Sequence, residues 1–579
     1  MSGAVVVAAI DFGTTYSGWA FSFKHEFESD PLKISAKQWI GGSLLSSKGP
    51  TCVLIKPDGK SLEAFGYDAE SKYADLAETH AHKQWYYFKR FKMELYSKGG
   101  GVKRDVKIKD ATDKELSAII VFSLAIRFLK DDVMNMSRQR LKDGGVTDAD
   151  VHWVLTVPAI WDDAAKQFMR EAAEKAGIAG NQLSIALEPE AASLYCRHLP
   201  VERNTGDNSV SLASFKAGKK YLVLDCGGGT VDVTVHEVTA SGDLKELHKA
   251  SGGGWGGTKV DDEYFKFLQK LIGAPVMRKF IDKHMEDYID MFRDFEIKKR
   301  DIAPSKKDLI TVRMPAALLD EYQEETDETL KDALPSTTYA GKITMTGDKM
   351  RVDVSVFKLF FKDALEHIVE HIGNLMRRPE VQGCAAIVMV GGFSESPMLQ
   401  EEVRRKFPST QVIVPMDAGL AVLKGAVIFG HRPNIITQRV SKYTYGVSCA
   451  QVYSSDRHPV HRKYTDKDGI DHVDNVFSVH VKAGQVLGNN EVQSTEKYSV
   501  HHSDQDGMTI QFYYTPSENP KYVDEGDCKK LGQMQVDVPG HGKDRSAEVS
   551  LQFGKTEIEA SVKIIHTGVV SKAKLNFLG

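Results

Sequence analysis

No two cysteines in this chain are spaced as C-x-x-C, and six cysteines among 579 residues do not make a disulfide framework. Free thiols in a reducing compartment follow, and with them an expected cytoplasmic location. No apolar run is long enough to span a bilayer: the longest, AIIVFSLAIRFL, is short and carries Arg127. The N-terminus has no basic stretch, and its apolar run ends at Asp11, so no signal peptide is expected. Excess charge is also missing. The net charge is −4, and a basic run such as KKDLITVR is balanced by DEYQEETDE. Nucleic acid is therefore not an expected partner, and these runs read as solvated surface. The histidine pairs His80/His82 and His501/His502 have no cysteine or carboxylate at metal-ligand spacing in the sequence around them. At roughly 100–200 residues per domain, about three or four compact units are expected, in a monomer.

What the chain does contain is a repeated polar turn. VVVAAIDFGTTYSGWAF begins as an apolar strand from Val5 to Ile10 and breaks at Asp11–Thr15. Apolar residues resume at Trp19, Phe21 and Phe23 with strand alternation. This is strand–turn–strand, unlike the P-loop, whose glycine turn opens a helix. KKYLVLDCGGGTVDVTVHEV repeats the pattern. A strand from Tyr221 to Leu224 meets Asp225, then Gly227, Gly228 and Gly229, then Thr230. Alternation follows, with Val231, Val233 and Val235 on one face and Asp232, Thr234 and His236 on the other. A single glycine turn is an ordinary tight hairpin. Two of them, with aspartate in the same place, point to duplication and a shared cleft.

The residue types suit phosphate. Glycines let backbone N–H groups approach phosphate oxygens, and threonine hydroxyls add donors. Aspartates need a cation between themselves and phosphate, and Mg²⁺ is held by one or two carboxylates plus phosphate. The triplet Asp11-Phe12-Gly13 also occurs in protein kinases, but no kinase glycine loop or catalytic loop accompanies it.

Seven stretches, in order, resemble the actin-like ATPase superfamily and most closely the heat-shock-70 chaperones. They are IDFGTTYS, VLTVPAIWDDAAKQFMREAAEKAGI, ALEPEAASLY, LDCGGGTVDVTV, FEIKKR, IVMVGGFSESPML and GLAVLKGAV. The resemblance implies an α/β actin-like fold, a duplicated, ribonuclease-H-like two-lobed ATPase domain over residues 1–432. It implies ATP or ADP with Mg²⁺ as ligands. Asp11 and Asp225 would hold the metal through water. Gly13, Thr14, Thr15, Gly227, Gly228, Gly229 and Thr230 would bind phosphate. Glu188 would order the attacking water. Gly256, Gly257, Glu296, Lys299, Arg300, Gly391 and Gly392 would border the nucleotide. On a helix, Glu296, Lys299 and Arg300 share one face, so the trio reads equally as a surface ion-pair ladder. The catalytic lysine falls to Lys89 or Lys92, with Lys92 favoured.

Departures from the common pattern resemble the atypical heat-shock-70 protein 12 type. Phe393, Ser394 and Glu395 follow Gly391 and Gly392 where a serine, threonine and arginine are usual. Ala303 replaces a serine near the base, and Glu190 replaces a threonine close to Glu188, adding negative charge near the site. FKRFKMEL and LKGAVIFG carry the same resemblance.

From about Pro433 the helical periodicity ends. YTYGVSCAQVY, FSVHVKAG, MTIQFYYTP, GQMQVDVP, AEVSLQFG and TEIEASVKI alternate at strand spacing, with turn residues between them. Residues 433–579 read as a β-sandwich resembling the family's substrate-binding β domain, without its helical lid. The preceding RPNIITQRVSKYTYGV is polar and basic where the family's linker is apolar, which predicts weak coupling between the two parts. VERNTGDNSVSLASFKAGKK reads as a surface loop, and Trp255, in a second glycine loop, as a packing residue.

The leading functional expectation is an ATP-binding, chaperone-like protein with weak ATPase activity that holds protein clients or signalling partners. A sugar or small-metabolite kinase of the same superfamily is the enzymatic alternative. A nucleotide-gated scaffold without hydrolysis is the third. A product assay with ATP separates them.

Overall fold

The first apolar run forms a strand because its residues are buried on both faces, as expected beside parallel neighbours. The computed structural model describes residues 4–41, 44–97, 102–140, 146–199, 215–489, 491–554, 557–575 and 577–578. Strand β1 (Val6–Phe12) pairs antiparallel with β2 (Tyr16–Phe23), placing Asp11 opposite Gly18. Strand β3 (Val151–Val157) lies parallel to β1 on its other side, and β4 (Leu183–Leu187) extends the sheet. Helix α1 (Glu188–His198) starts immediately after β4, with Pro189 in its first turn, where a missing N–H costs nothing.

A second sheet repeats the arrangement. Strands β5 (Lys220–Cys226) and β6 (Val231–Val238) form its hairpin, with Asp225 opposite Asp232. Strand β7 (Leu244–Gly253) follows β6 antiparallel. After helix α2 (Met285–Arg300), strand β8 (Ala386–Val390) runs parallel to β5, as β3 does to β1. Helix α3 (Ala421–His431) packs on α1 between the sheets. Val7, Ala9 and Val154 from the first sheet share one core with Tyr221 and Val223 from the second and with Leu194, Leu423 and Val427 from the helices. Asp232, Thr234 and His236, the polar face of β6, are all buried, as are Val231, Val233 and Val235 on the other.

The polar segment after α3 is not a free tether. Ile436–Val440 forms β9, which pairs parallel with β7 at the edge of the second sheet, and β10 (Val486–Gly488) pairs with β9 in turn. The sheet therefore has seven strands. Within β9, Ile436 is buried, Gln438 is exposed and Arg439 is half-buried.

Beyond β9 the described residues form strands with one three-residue helical turn, Val460–Arg462. A five-stranded sheet (Lys463–Thr465, Asp471–Val481, Thr444–Val452, Gly507–Thr515, Lys529–Asp537) faces a four-stranded one (Glu491–Ser499, Ser546–Gly554, Glu557–Ile564, Val570–Lys574). Val447, Phe512 and Val536 of the first meet Val549, Ala560 and Val562 of the second in one core. Here His502 does meet carboxylates, which the sequence around it did not show. Donor atoms of Asp466, Asp468 and His502 lie within 4.8 Å of one another. Both carboxylates are already engaged, Asp466 with His472 at 3.0 Å and Asp468 with Lys543 at 2.5 Å. Most of the segment 201–220, expected as a surface loop, falls outside the described residues.

His480 makes acid sensitivity a property of this sandwich. Its Nδ1 bonds Ser494 Oγ at 2.7 Å and its Nε2 bonds Tyr498 Oη at 3.0 Å. Burial pushes its pKa down to about 4. The folded protein therefore keeps this imidazole neutral, whereas the unfolded chain takes up a proton below about 6.5. Stability is lost as pH falls from about 6.5 towards 4. Between pH 7 and 5 this one group is expected to remove about 2 kcal/mol. Denaturant unfolding at the two pH values should show a difference smaller by that amount in His480→Gln.

Candidate functional site

The two hairpin turns touch. A Cβ on Gly228 would lie 2.2 Å from Thr15 Oγ1, and one on Gly229 would lie 2.6 Å from Thr14 Oγ1. Only glycine lets the backbone come this close. Thr230 returns its carbonyl to Gly227 N at 2.9 Å, closing the second turn. A cleft of about 740 Å³ opens at this contact, and Gly13, Thr14, Thr15 and Gly227 to Thr230 line it. The second glycine loop braces the turn from behind. Gly256, Gly257 and Thr258 donate backbone N–H groups to Gly229, Gly227 and Gly228 at 3.2, 3.1 and 2.8 Å. Gly257 reaches the cleft wall; Gly256 is not among the residues lining it. Trp255 instead packs against His367 and His371.

The carboxylates sit where strands end. Asp11 closes β1 and Asp225 closes β5, and each is 4% exposed. Asp11 accepts from Thr156 Oγ1 at 2.8 Å and is paired with Lys48 Nζ at 2.5 Å. Burial alone would raise the Asp11 pKa, but Lys48, with Lys92 and Thr156 acting in the same sense, holds the group below the usual range. Asp225 has no such partner. Its Oδ2 is buried without a hydrogen bond among the described residues. Burial first, then Glu188, Asp232 and Asp11, push its pKa well above the ordinary value. Glu188, at the start of α1, bonds Lys92 Nζ at 2.7 Å. Burial raises Glu188 to about 7, with Lys92 opposing and Asp11 and Asp232 reinforcing.

Of the two candidate lysines, Lys92 is 2% exposed, pairs with Glu188 and lies 5.2 Å from the Trp161 ring centroid. Lys89 also lines the cleft, but its ammonium lies over the Tyr288 ring at 5.1 Å, beside α2. At its C-terminal end α2 presents Glu296, Lys299 and Arg300. They form the ion-pair ladder and line the cleft at once. Lys299 bonds Glu296 at 2.5 Å and Asp261 at 2.7 Å, and Arg300 bonds Glu296 at 2.8 Å. Gly391 and Gly392 form the opposite lip, after β8. The unusual triplet beyond them divides its work. Phe393 and Ser394 are buried, with Ser394 Oγ donating to Val390 O at 2.6 Å, while Glu395 accepts from Gly419 N at 3.1 Å. Ala303 is not among the lining residues.

Glu190 requires a correction. It does not add charge to the cleft. Two residues beyond Glu188, α1 has turned it towards β9, where both of its oxygens bond Arg439, at 2.8 and 2.7 Å. Beside this pair, Glu246 accepts from Val440 N at 2.8 Å, and burial followed by the Glu190 charge raises it to about 8.

Two participants were missed in the sequence. Lys48 lies in the turn SSKGPT, with no periodicity or motif to mark it. Asp232 follows the second turn; it accepts from Ile160 N at 2.8 Å, and burial raises its pKa.

The family model described as Hsp70 protein matches residues 98–331. Heat shock 70 kDa protein 12A of Mus musculus is 34% identical, covering 99% of this chain and 92% of its own length. Heat shock 70 kDa protein 12B of Homo sapiens is 33% identical over 99% of this chain and 91% of its own length. The chaperone protein DnaK of Mycoplasmopsis agalactiae is 25% identical over 51% of this chain and 44% of its own length. With cleft, paired hairpins and near-full-length similarity together, the chain belongs to the Hsp70 family, in its atypical heat shock 70 kDa protein 12 branch.

Proposed function

We propose that this protein binds ATP or ADP with Mg²⁺ between its two hairpin turns, hydrolyses ATP slowly, and uses the bound state to hold a protein partner. Residues 1–432 serve as the two-lobed nucleotide-binding part and residues 433–579 as the partner-binding β part. The observation that carries this reading is the contact of the two turns, with Asp11 and Asp225 at matching strand ends beside it. The printed name of the DnaK relative, a chaperone protein, supports a protein client.

The donor set fits Mg²⁺. Asp11 and Asp225 offer hard carboxylate oxygens, and the buried, unpartnered Oδ2 of Asp225 is the kind of atom a cation satisfies. A bound Mg²⁺ supplies charge neutralisation on the phosphoryl oxygens. The protein's part is positioning. Turn N–H groups and the Thr14, Thr15 and Thr230 hydroxyls orient the phosphates. Lys92 stands by with its ammonium, fixed by Glu188. Glu188, with its raised pKa, orients the attacking water and accepts its hydrogen bond. Lys299, Arg300 and the glycine lip border the nucleoside.

At about 100 times its dissociation constant, MgADP is expected to stabilise the fold by about 2.7 kcal/mol. A saturating nucleotide that leaves the thermal midpoint unmoved overturns the reading. With ATP, free phosphate supports hydrolysis, a phosphorylated metabolite moves the assignment to a kinase, and binding without turnover moves it to a scaffold.

A further inference from the structure

We propose that Lys48 is a built-in counter-cation for the phosphate cleft, so that nucleoside diphosphate binds with little dependence on a divalent metal. The inference rests on the nucleotide reading above and concerns how that site is neutralised.

Four observations carry it. The Lys48 ammonium is 2.5 Å from Asp11 Oδ2, with the lysine side chain 17% exposed and that of Asp11 5%. This is a charge pair largely withdrawn from water, where attraction is stronger than at the surface. Second, the lysine has a slot made for it. Its stem crosses β2 at Gly18, the residue opposite Asp11 in the hairpin; a Cβ there would lie 3.0 Å from Lys48 Cγ and 3.3 Å from Ser47 O. Third, the segment is stitched to the first turn. Gly49 and Pro50 pair with Ser17 and Tyr16, Thr51 N donates to Thr15 O at 2.8 Å, and Thr51 Oγ1 donates to Gly13 O at 2.8 Å. Lys48 is thus held beside the turn rather than carried on a swinging loop. Fourth, two other ammonium groups of the cleft are engaged away from Asp11: Lys92 by Glu188, and Lys299 by Asp261 and Glu296.

The consequence is electrostatic. A divalent ion drawn to Asp11 meets an ammonium already on that carboxylate and must displace it or share it. A phosphate arriving at the turns meets the same ammonium as a donor, held where the lysine can bridge Asp11 and the phosphate. Lys48 therefore offsets phosphate charge that a metal would otherwise offset alone.

The test measures ADP affinity by calorimetry on the full chain, in Mg²⁺ and in EDTA. The wild type is expected to weaken less than tenfold on removing the metal. Lys48→Met is expected to weaken at least 100-fold on going from Mg²⁺ to EDTA, because no ammonium then offsets the phosphate charge once the metal is gone. Lys48→Arg keeps the charge and should behave as the wild type, which guards against a folding defect in the methionine variant. A wild type that weakens 100-fold in EDTA overturns the proposal, as does metal-free binding that survives in Lys48→Met. ADP binding by no variant, even in Mg²⁺, overturns instead the nucleotide reading on which the proposal rests.

Discussion

Arg439→Ala is expected to destabilise the protein by about 3–5 kcal/mol, the usual range for breaking a buried ion pair from one side. Glu190 is 1% exposed and gives both oxygens to Arg439. Removing the guanidinium leaves that carboxylate buried beside Glu246, whose pKa burial first, and then the Glu190 charge, raise to about 8. The double variant Glu190→Gln, Arg439→Met should recover most of the loss, because no unpaired charge remains. Denaturant unfolding measures both, and hydrogen exchange at amides 436–440 should quicken in the single variant alone. A loss below 1 kcal/mol would mean that the pair is hydrated in solution and that β9 is held by its main-chain ladder.

The placement of this pair bears on the expectation of weak coupling. That expectation rested on the missing apolar linker. The segment docks instead through strand pairing and charge. Glu188 and Glu190 lie two residues apart in the first turn of α1. One faces Lys92 in the cleft and the other faces Arg439 on the strand that leads into the β-sandwich. A single helix start thus contacts both the cleft and the strand that leads into the β-sandwich.

The legible parts of the sequence were those written in a local pattern. Each hairpin was visible because an unbroken apolar run stops at an aspartate and glycine and a period-two strand follows, and the strands after Pro433 were visible through the same alternation. What was not legible joins distant residues. Arg439 and Glu190 are 249 residues apart, and nothing near either marks the other. Lys48 sits 37 residues from Asp11 in an aperiodic turn. Alternation on β6 marked a strand with two faces, but periodicity does not tell whether a second layer covers the polar one, and here both faces are buried. The α2 trio shows a further limit. Its spacing fits a surface ladder and a ligand border equally, and in the structure Glu296, Lys299 and Arg300 are both.

Asp225→Asn is expected to move stability and turnover in opposite directions. Asp225 is buried, its Oδ2 has no hydrogen bond among the described residues, and Glu188, Asp232 and Asp11 all oppose its charge. A neutral group of the same shape relieves that repulsion, so the ligand-free protein should gain about 1 kcal/mol or more, as sites kept for function rather than stability do. The same change removes a carboxylate proposed to hold Mg²⁺ through water, and ATP turnover should fall about 100-fold or more, roughly 2.7 kcal/mol of barrier. Asp11→Asn makes the contrast. Asp11 already has Lys48 and Thr156 as partners, so its replacement strands a buried ammonium and should lower the unfolding midpoint. Thermal unfolding without ligand and phosphate release with ATP decide the matter together. If Asp225→Asn loses stability and turnover in parallel, Asp225 is structural. If turnover survives, the hydrolytic centre lies elsewhere in the cleft. Only a stabler protein that hydrolyses poorly fits a carboxylate held unpaired for a cation.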